Sequence, residues 1–322
     1  MNGDNLKKIK IIVIGLGKIG LHYAFDDKRK QPASHIAAIM NNPNLKLVGV
    51  CDPDKKSLEK FHKKYDKKII SEKDHFKLIE QLEEKEIDFD IIVIATPEKT
   101  HFEVLKFCIS KMSKTKTKKI IFCEKPMTQN LTQAKKIKKM LKNPKINIVI
   151  NHSRRWSKAW QEAFELKSEI GKIEKAGFYF ATSPENKSIS QIRDGIHIAD
   201  ILSWFNITNQ TKINRLNTKY FTYDFYLWGS LGKIEIVNFG ETLNFYKLKK
   251  SSRFENFNEL ELILTKTIEE STLVNAYDEI VTFLNNDIEC LTNEINDAIM
   301  AHDIFEKYVY NKKFEKSLEK SS

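Results

Sequence analysis

Residues that break, cross-link or anchor a chain are scarce in this one. Its 322 residues include 7 prolines, 11 glycines and 4 cysteines. So little glycine and proline excludes collagen-like and low-complexity classes, which are built from them. Cys51, Cys108, Cys123 and Cys290 are scattered with no CxxC pair, so neither a disulfide framework nor a metal site is expected. Long apolar runs are missing too. The longest resemble residues 91–95, far below the roughly eighteen needed to cross a bilayer. The apolar stretch near the start is too short for a signal peptide and runs into glycines instead of a cleavage site. The expectation is a soluble, cytoplasmic chain with no membrane partner.

Lysine, by contrast, is abundant. With 54 Lys+Arg against 43 Asp+Glu the net charge is +11, which raises a nucleic-acid reading. The lysines cluster at 111–119 and 135–145, but few aromatics interleave with them and no zinc-finger or RNA-binding signature accompanies them. Solvated helix faces account for the clusters, and no nucleic-acid partner is expected. Part of the positive field would suit an acidic or phosphorylated small molecule.

The length and the 41% apolar content suit about two domains. Residues 9–14, 45–51, 68–70, 91–95, 120–123 and 146–150 are short runs rich in Ile and Val, as in strands covered on both faces. Between them apolar residues recur at helical spacing, for example Leu131, Ala134, Ile137 and Leu141. This alternation predicts a doubly wound parallel sheet over residues 8–150. Beyond it, runs at 178–180, 233–237, 243–248 and 260–264 follow one another with turns between them. An α+β domain with a mostly antiparallel open sheet is expected for residues 151–322. Two amphipathic helices close the chain, with stripes at Tyr277, Ile280, Val281 and Leu284 and at Ile295, Ala298, Ile299, His302 and Phe305.

Gly15-Leu16-Gly17-Lys18-Ile19-Gly20 follows the first strand, and Asp52 ends the second. In a strand–turn–helix setting this is a Rossmann dinucleotide fingerprint. Gly15 makes the turn, Gly17 admits a diphosphate, Gly20 allows close packing, and Asp52 would accept the ribose hydroxyls. Gly15, Gly17, Lys18, Ile19, Gly20 and Asp52 are therefore candidate cofactor contacts, with NAD expected and NADP possible. The motif lies farther from Asp52 than the usual ~20 residues, and an inserted loop near residues 25–34 explains the excess. His35, at the end of that insertion, is a candidate substrate contact.

Thr96-Pro97 and His101 follow the fourth strand, and Glu124-Lys125-Pro126 follows the fifth. Ligands of parallel sheets bind at the carboxyl ends of strands, so Thr96, Pro97, His101 and Glu124 join the cofactor candidates. Lys125 becomes a candidate for a substrate oxygen. GLGKIG, VGVCDPD, ATPEKTH and CEKP in this order, with later NHSRR, GIHIAD and GSLG, resemble the Gfo/Idh/MocA oxidoreductases. The resemblance covers about residues 8–312. It implies an NAD(P)-dependent dehydrogenase or reductase of a sugar, polyol or sugar nucleotide, and a second domain whose sheet mediates homo-oligomers.

Lys125 and His197 stand at the positions of the family's catalytic pair. Histidine suits proton transfer near neutral pH, and a cation stabilises a developing alkoxide. His197 is read as preceding a helix over 198–205, with Asp200 available to orient it. Many members carry an aspartate four residues before this histidine; here Arg193 stands there and Asp194 lies three before. Either Asp194 serves as the carboxylate, or Arg193 binds an anionic substrate group. Arg154 and Arg155 are either salt-bridging residues or further anion contacts. Two alternatives remain open: a non-catalytic dinucleotide sensor, and an enzyme recycling bound NAD for isomerisation or hydrolysis.

Overall fold

The computed structural model describes residues 8–181, 191–216, 218 and 220–309, leaving the side chains of 191–194 and 215 undescribed. The chain divides into two compact units. The first contains β1 (Ile9–Ile14), β2 (Leu45–Cys51), β3 (Ile70–Glu72), β4 (Ile91–Ile94), β5 (Lys119–Cys123) and β6 (Ile146–Ile150). They form one parallel sheet in the order β3-β2-β1-β4-β5-β6. Strand order reverses between β1 and β4, where ligands of such sheets sit. Every side chain of β4 is buried, as a strand covered on both faces requires. Each fully buried Ile or Val contributes about 1.5–3 kcal/mol.

Helices α1 (His35–Asn41), α2 (Lys55–Lys64), α3 (His75–Glu84), α4 (Glu98–Met112) and α5 (Leu131–Met140) supply the cover. Most begin on a side-chain cap. Ser34 accepts the N–H of Ala37, Asp54 that of Lys56, Asp74 those of Phe76 and Lys77, and Asn130 that of Gln133, each worth about 1 kcal/mol.

The first crossover is where the chain departs from a plain fingerprint. The turn 17–21 leads into a short 3₁₀ helix, His22–Phe25, and then a loop before α1. The N–H groups of His35 and Ile36 donate to the carbonyls of Ile19 and Gly20 at 2.9 and 3.0 Å. In an uninterrupted helix those carbonyls would be reached by residues 23 and 24. Twelve residues are therefore spliced into the helix, and without them Asp52 would follow Gly20 by twenty. The insertion expected from the spacing is present. Lys64 donates to the Ala24 carbonyl at 3.1 Å, and Ser271 to that of Pro32 at 2.8 Å.

The second unit holds α6 (Lys158–Leu166), β7 (Ile173–Ala181), α7 (Gln191–Phe205), β8 (Thr211–Arg215), β9 (Thr222–Gly229), β10 (Gly232–Val237), β11 (Thr242–Lys250) and β12 (Asn258–Thr267). Its sheet runs β12-β11-β10-β9-β7-β8, antiparallel except for the β7–β8 pair. Trp160, stacked on Phe225, and the inner residues of α7 fill the core on one face.

The expected single break after residue 150 needs correction. The first unit runs through Ser153 and takes up Ser271–Ile299; the second is Arg154–Glu270 with the residues from Met300 onward. Helix α8 (Thr272–Leu284) returns to the first unit because its stripe packs there, with Tyr277 edge-on to Phe122. In α9 (Ile295–Ile304), Ile295 and Ala298 join the core of the first unit while Ala301 joins that of the second.

Candidate functional site

The glycine turn is built against the sheet. Gly15 donates its N–H to the Cys51 carbonyl at 2.8 Å and has φ +102°, a region that favours glycine. A side chain there would strike the backbone of Ala95 and Thr96, and one on Gly20 would strike the Gly15 carbonyl. Gly17 differs: no atom lies within 4 Å of the place a Cβ would take. Gly17 and Lys18 are exposed and Ile19 half-buried. Close packing beneath and empty space above is what a diphosphate needs in order to approach the backbone.

Asp52 stands beside this turn. Its carboxylate accepts the Leu16 N–H at 2.6 Å and the Asp54 N–H at 2.8 Å. The carboxylate thereby fixes the turn and still offers acceptor sites at its half-buried oxygens. Asp54 caps α2. Hydrogen bonds from the Lys56 N–H and the Ser57 hydroxyl hold its carboxyl below the usual range. Hydrogen bonds also link the Ser57 hydroxyl to His22 of the insertion, at 3.0 Å.

The loops after β4 and β5 are tied together by His101. Its ring nitrogens lie 2.8 Å from the carbonyls of Pro126 and Thr96, and the residue is buried. His101 was expected to touch cofactor; its two nitrogens are instead taken up in joining the loops. Thr96 accepts the Thr100 hydroxyl at 2.8 Å, and Pro97 is exposed at the start of α4.

Glu124 also departs from expectation. It is buried rather than facing a ligand. One carboxylate oxygen lies 3.0 Å from His35 Nε2 and 2.6 Å from Asn151 Nδ2; the other accepts the Lys125 N–H at 3.3 Å. Burial pushes this carboxyl upward, but hydrogen bonds from His35 and Asn151 and the charges of His35 and Lys125 outweigh it and hold it below the usual range. The Nδ1 of His35 lies 2.8 Å from the Tyr277 hydroxyl. Burial and the Glu124 charge push that phenol well above its ordinary value. The expectation of a substrate contact at His35 fails, because its side chain is fully buried in this network. Lys125 itself is half-buried at the carboxyl end of β5.

Sequence reasoning missed Tyr277 and Asn151 as partners of this loop. A signal existed for His35: with the twelve-residue insertion removed, it falls three residues after Gly20. Tyr277 offered none beyond its place on an apolar stripe.

In the second unit, α7 begins at Gln191, so His197 lies inside the helix and not ahead of it as expected. Glycine ordinarily marks a helix boundary, yet Gly195 lies inside α7. Here a Cβ at Gly195 would collide with Phe305, so glycine serves packing. His197 is half-buried. The side chains of Arg193 and Asp194 lie outside the described residues; their backbone is helical. Asp200 is buried and accepts from Arg155 Nε at 3.0 Å, which places Arg155 in the core and removes it from the anion contacts. Arg154 lies over the Tyr223 ring, 4.7 Å from its centre.

Among the described residues no group of His, Cys, Asp or Glu is arranged to hold a metal ion, and no helix is long and apolar enough to cross a membrane. All four cysteines are free. Burial above all pushes Cys51 up to about 12.

A doubly wound parallel sheet, a glycine turn open at Gly17 and an aspartate closing β2 define an NAD(P)-binding protein of the Rossmann class. Residues 9–152 match the model of the oxidoreductase family with an NAD-binding Rossmann fold, Gfo/Idh/MocA. Among curated proteins, scyllo-inositol 2-dehydrogenase (NAD(+)) of Bacillus subtilis is 26% identical over 172 residues. That match covers 53% of this chain and 43% of the relative, so it spans less than half of the relative's length. A 3-ketoreductase of Actinomadura kijaniata, in complex with NADP and TDP-benzene, superposes at a TM-score of 0.68 with 12% identity, over 92% of this chain and 95% of that one. A super-repressor mutant of Gal80p from Saccharomyces cerevisiae reaches 0.72 with 14% identity, over 96% and 97%. At such identities the likeness is one of fold.

Proposed function

We propose that this protein is an NAD(H)-dependent oxidoreductase moving a hydride between the nicotinamide and a carbinol carbon of a polyol, sugar or sugar nucleotide. The observation that supports it most is Lys125. It stands at the carboxyl edge that also carries the open glycine turn, and its neighbours on both sides are held by buried histidines. Bound nicotinamide would supply the hydride acceptor. The turn at residues 15–20 would hold the diphosphate and Asp52 the adenosine ribose. With Asp54 two residues on, a 2′-phosphate would meet two carboxylates, which favours NAD over NADP; Lys55 and Lys56 leave NADP as a weaker ligand.

In oxidation the carbon loses a hydride with its electron pair, and the hydroxyl proton passes to a base. His197 is the proposed base, with Asp194 as the alternative. Lys125 donates a hydrogen bond to the substrate oxygen and stabilises the alkoxide as it forms. Arg154 and Arg193 are the proposed contacts for an anionic substituent. The protein would work in the cytoplasm as a homo-oligomer. The open face of the second sheet supports self-association, since Leu248 and Leu260, paired across β11 and β12, and Leu262 beside them are exposed there.

The test supplies NAD or NADP with scyllo- and myo-inositol, free sugars and sugar nucleotides, following reduced-nicotinamide absorbance. Turnover with NAD on one of these, lowered about 10²–10³-fold by Lys125→Ala, is expected. Nicotinamide binding without turnover on any of them would favour the sensor. Reduced cofactor already present in the purified protein would favour recycling.

A further inference from the structure

We propose that Tyr277, His35 and Glu124 form a buried positioning device that fixes Lys125 through its own main chain, with Asn151 as a second donor. The inference deepens the role given to Lys125 above and rests on it.

The carboxylate sets the direction of the bonds that reach it. Glu124 is acceptor only, so the Nε2–H of His35 donates to it at 3.0 Å. With Nε2–H committed to Glu124, Nδ1 accepts the Tyr277 hydroxyl at 2.8 Å if it carries no proton and donates to it if it does. Asn151 Nδ2 adds a donor at 2.6 Å to the same carboxylate oxygen, and the Lys125 N–H approaches the other at 3.3 Å. Three segments distant in sequence thus converge on the residue preceding Lys125: the end of the insertion, the start of the β6 exit loop and α8.

A buried, hydrogen-bonded carboxylate contributes little net stability compared with apolar residues of the same shape. What it supplies is a single geometry, because every partner is lost if the group turns. On the far side of Lys125, His101 holds the Pro126 carbonyl at 2.8 Å. The backbone on both sides of the lysine is therefore fixed. His35 and Tyr277 are positioning residues; neither is proposed to touch substrate or cofactor.

The test needs no substrate. Reductive methylation with ¹³C-formaldehyde labels lysine amines and keeps their charge, and Lys125→Arg identifies the Lys125 resonance. In the wild-type protein this resonance is expected to stand apart from the envelope of solvated lysines. His35→Leu retains bulk but removes both hydrogen bonds and should collapse the resonance into the envelope. His35→Gln can donate to Glu124 and accept from Tyr277, and should restore it. Tyr277→Phe removes one hydroxyl and remains available if His35→Leu fails to fold; it should shift the resonance part of the way.

An unmoved Lys125 resonance in a folded His35→Leu or Tyr277→Phe protein would overturn the proposal. So would failure of His35→Gln to restore it in a folded protein. Where turnover is found, His35→Leu should lower kcat at least tenfold with the Kd for NADH within twofold of wild type. A wild-type protein that turns over nothing defeats the assigned reaction and leaves the spectroscopic result standing.

Discussion

Two glycines of one turn should behave in opposite ways when each gains a methyl group. At Gly17 the added carbon would meet nothing within 4 Å, and the position is not in the left-handed region. Gly17→Ala should therefore leave the fold intact, or stabilise it by about 0.4–1 kcal/mol through a less flexible unfolded chain. The methyl would, however, fill the space through which a diphosphate approaches the backbone. At Gly20 the same carbon would run into the Gly15 carbonyl oxygen, with Leu16 Cα at 3.2 Å. Neither atom is free to yield, because Gly15 is tied to Cys51 at 2.8 Å and Leu16 to Asp52 at 2.6 Å. A carbon–oxygen contact needs about 3.3 Å, so the turn must move bodily. Overpacking of this kind costs roughly 1–3 kcal/mol. Thermal melts followed by circular dichroism, with NADH titrations followed by nicotinamide fluorescence, separate the two effects. Gly17→Ala should keep its Tm and weaken NADH binding at least tenfold, about 1.4 kcal/mol. Gly20→Ala should lose both stability and binding. Wild-type affinity in a folded Gly17→Ala protein would refute the placement of the diphosphate.

Asp52→Ala should narrow the preference for NADH over NADPH in the same titration, and tighter NADPH binding by the wild type would sink the assignment of Asp52. Lys119, buried at the amino edge of the sheet, bonds Asp88 at 2.9 Å and Asp90 at 3.3 Å; Lys119→Met should cost about 1–2 kcal/mol in urea unfolding, since both carboxylates can rehydrate. Burial raises the Asp88 carboxyl, but the hydrogen bond and charge of Lys119 lower it more. This part of the stability is present above the ordinary ~3.9 and is lost as pH falls through the lower native value, so wild type and variant should converge in acid. Asp200→Ala leaves the Arg155 guanidinium buried without its carboxylate, a loss of about 3–5 kcal/mol. Tryptophan fluorescence should report it, because Trp156, Trp160, Trp204 and Trp228 all lie in the second unit.

The parallel sheet was legible because its strands are short runs of Ile and Val that alternate with segments of helical spacing, a pattern that suits strands covered on both faces. The second unit was less so. β8 and β9 were missed: Thr211–Arg215 holds a single apolar residue, and Thr222–Gly229 has its Tyr, Phe and Leu side chains interleaved with Asp, Tyr and Trp. Burial there alternates along β9, but aromatic residues occupy both faces and mask the period in the sequence. The return of α8 to the first unit was hidden for a different reason. An apolar stripe records that a helix packs, and says nothing of what it packs against.

The glycine turn, Asp52 and the loop of Lys125 could be read because each depends on local backbone chemistry and a fixed place after a strand. His101, Glu124 and His35 were named from the same reading but given to ligands, whereas burial places all three beneath the site. The reason is general to edge sites. Polar residues next to a binding loop in sequence either face the ligand or hold the loop, and residue type alone does not separate these cases. The structure separates them here by counting partners. Glu124 receives three donors from protein groups, and His101 has a carbonyl at each ring nitrogen. A side chain whose bonding capacity is spent inside the protein has little left to offer a substrate. Its contribution to chemistry then passes through the main chain it holds: the Lys125 N–H for Glu124, and the carbonyls of Thr96 and Pro126, the latter next to Lys125, for His101.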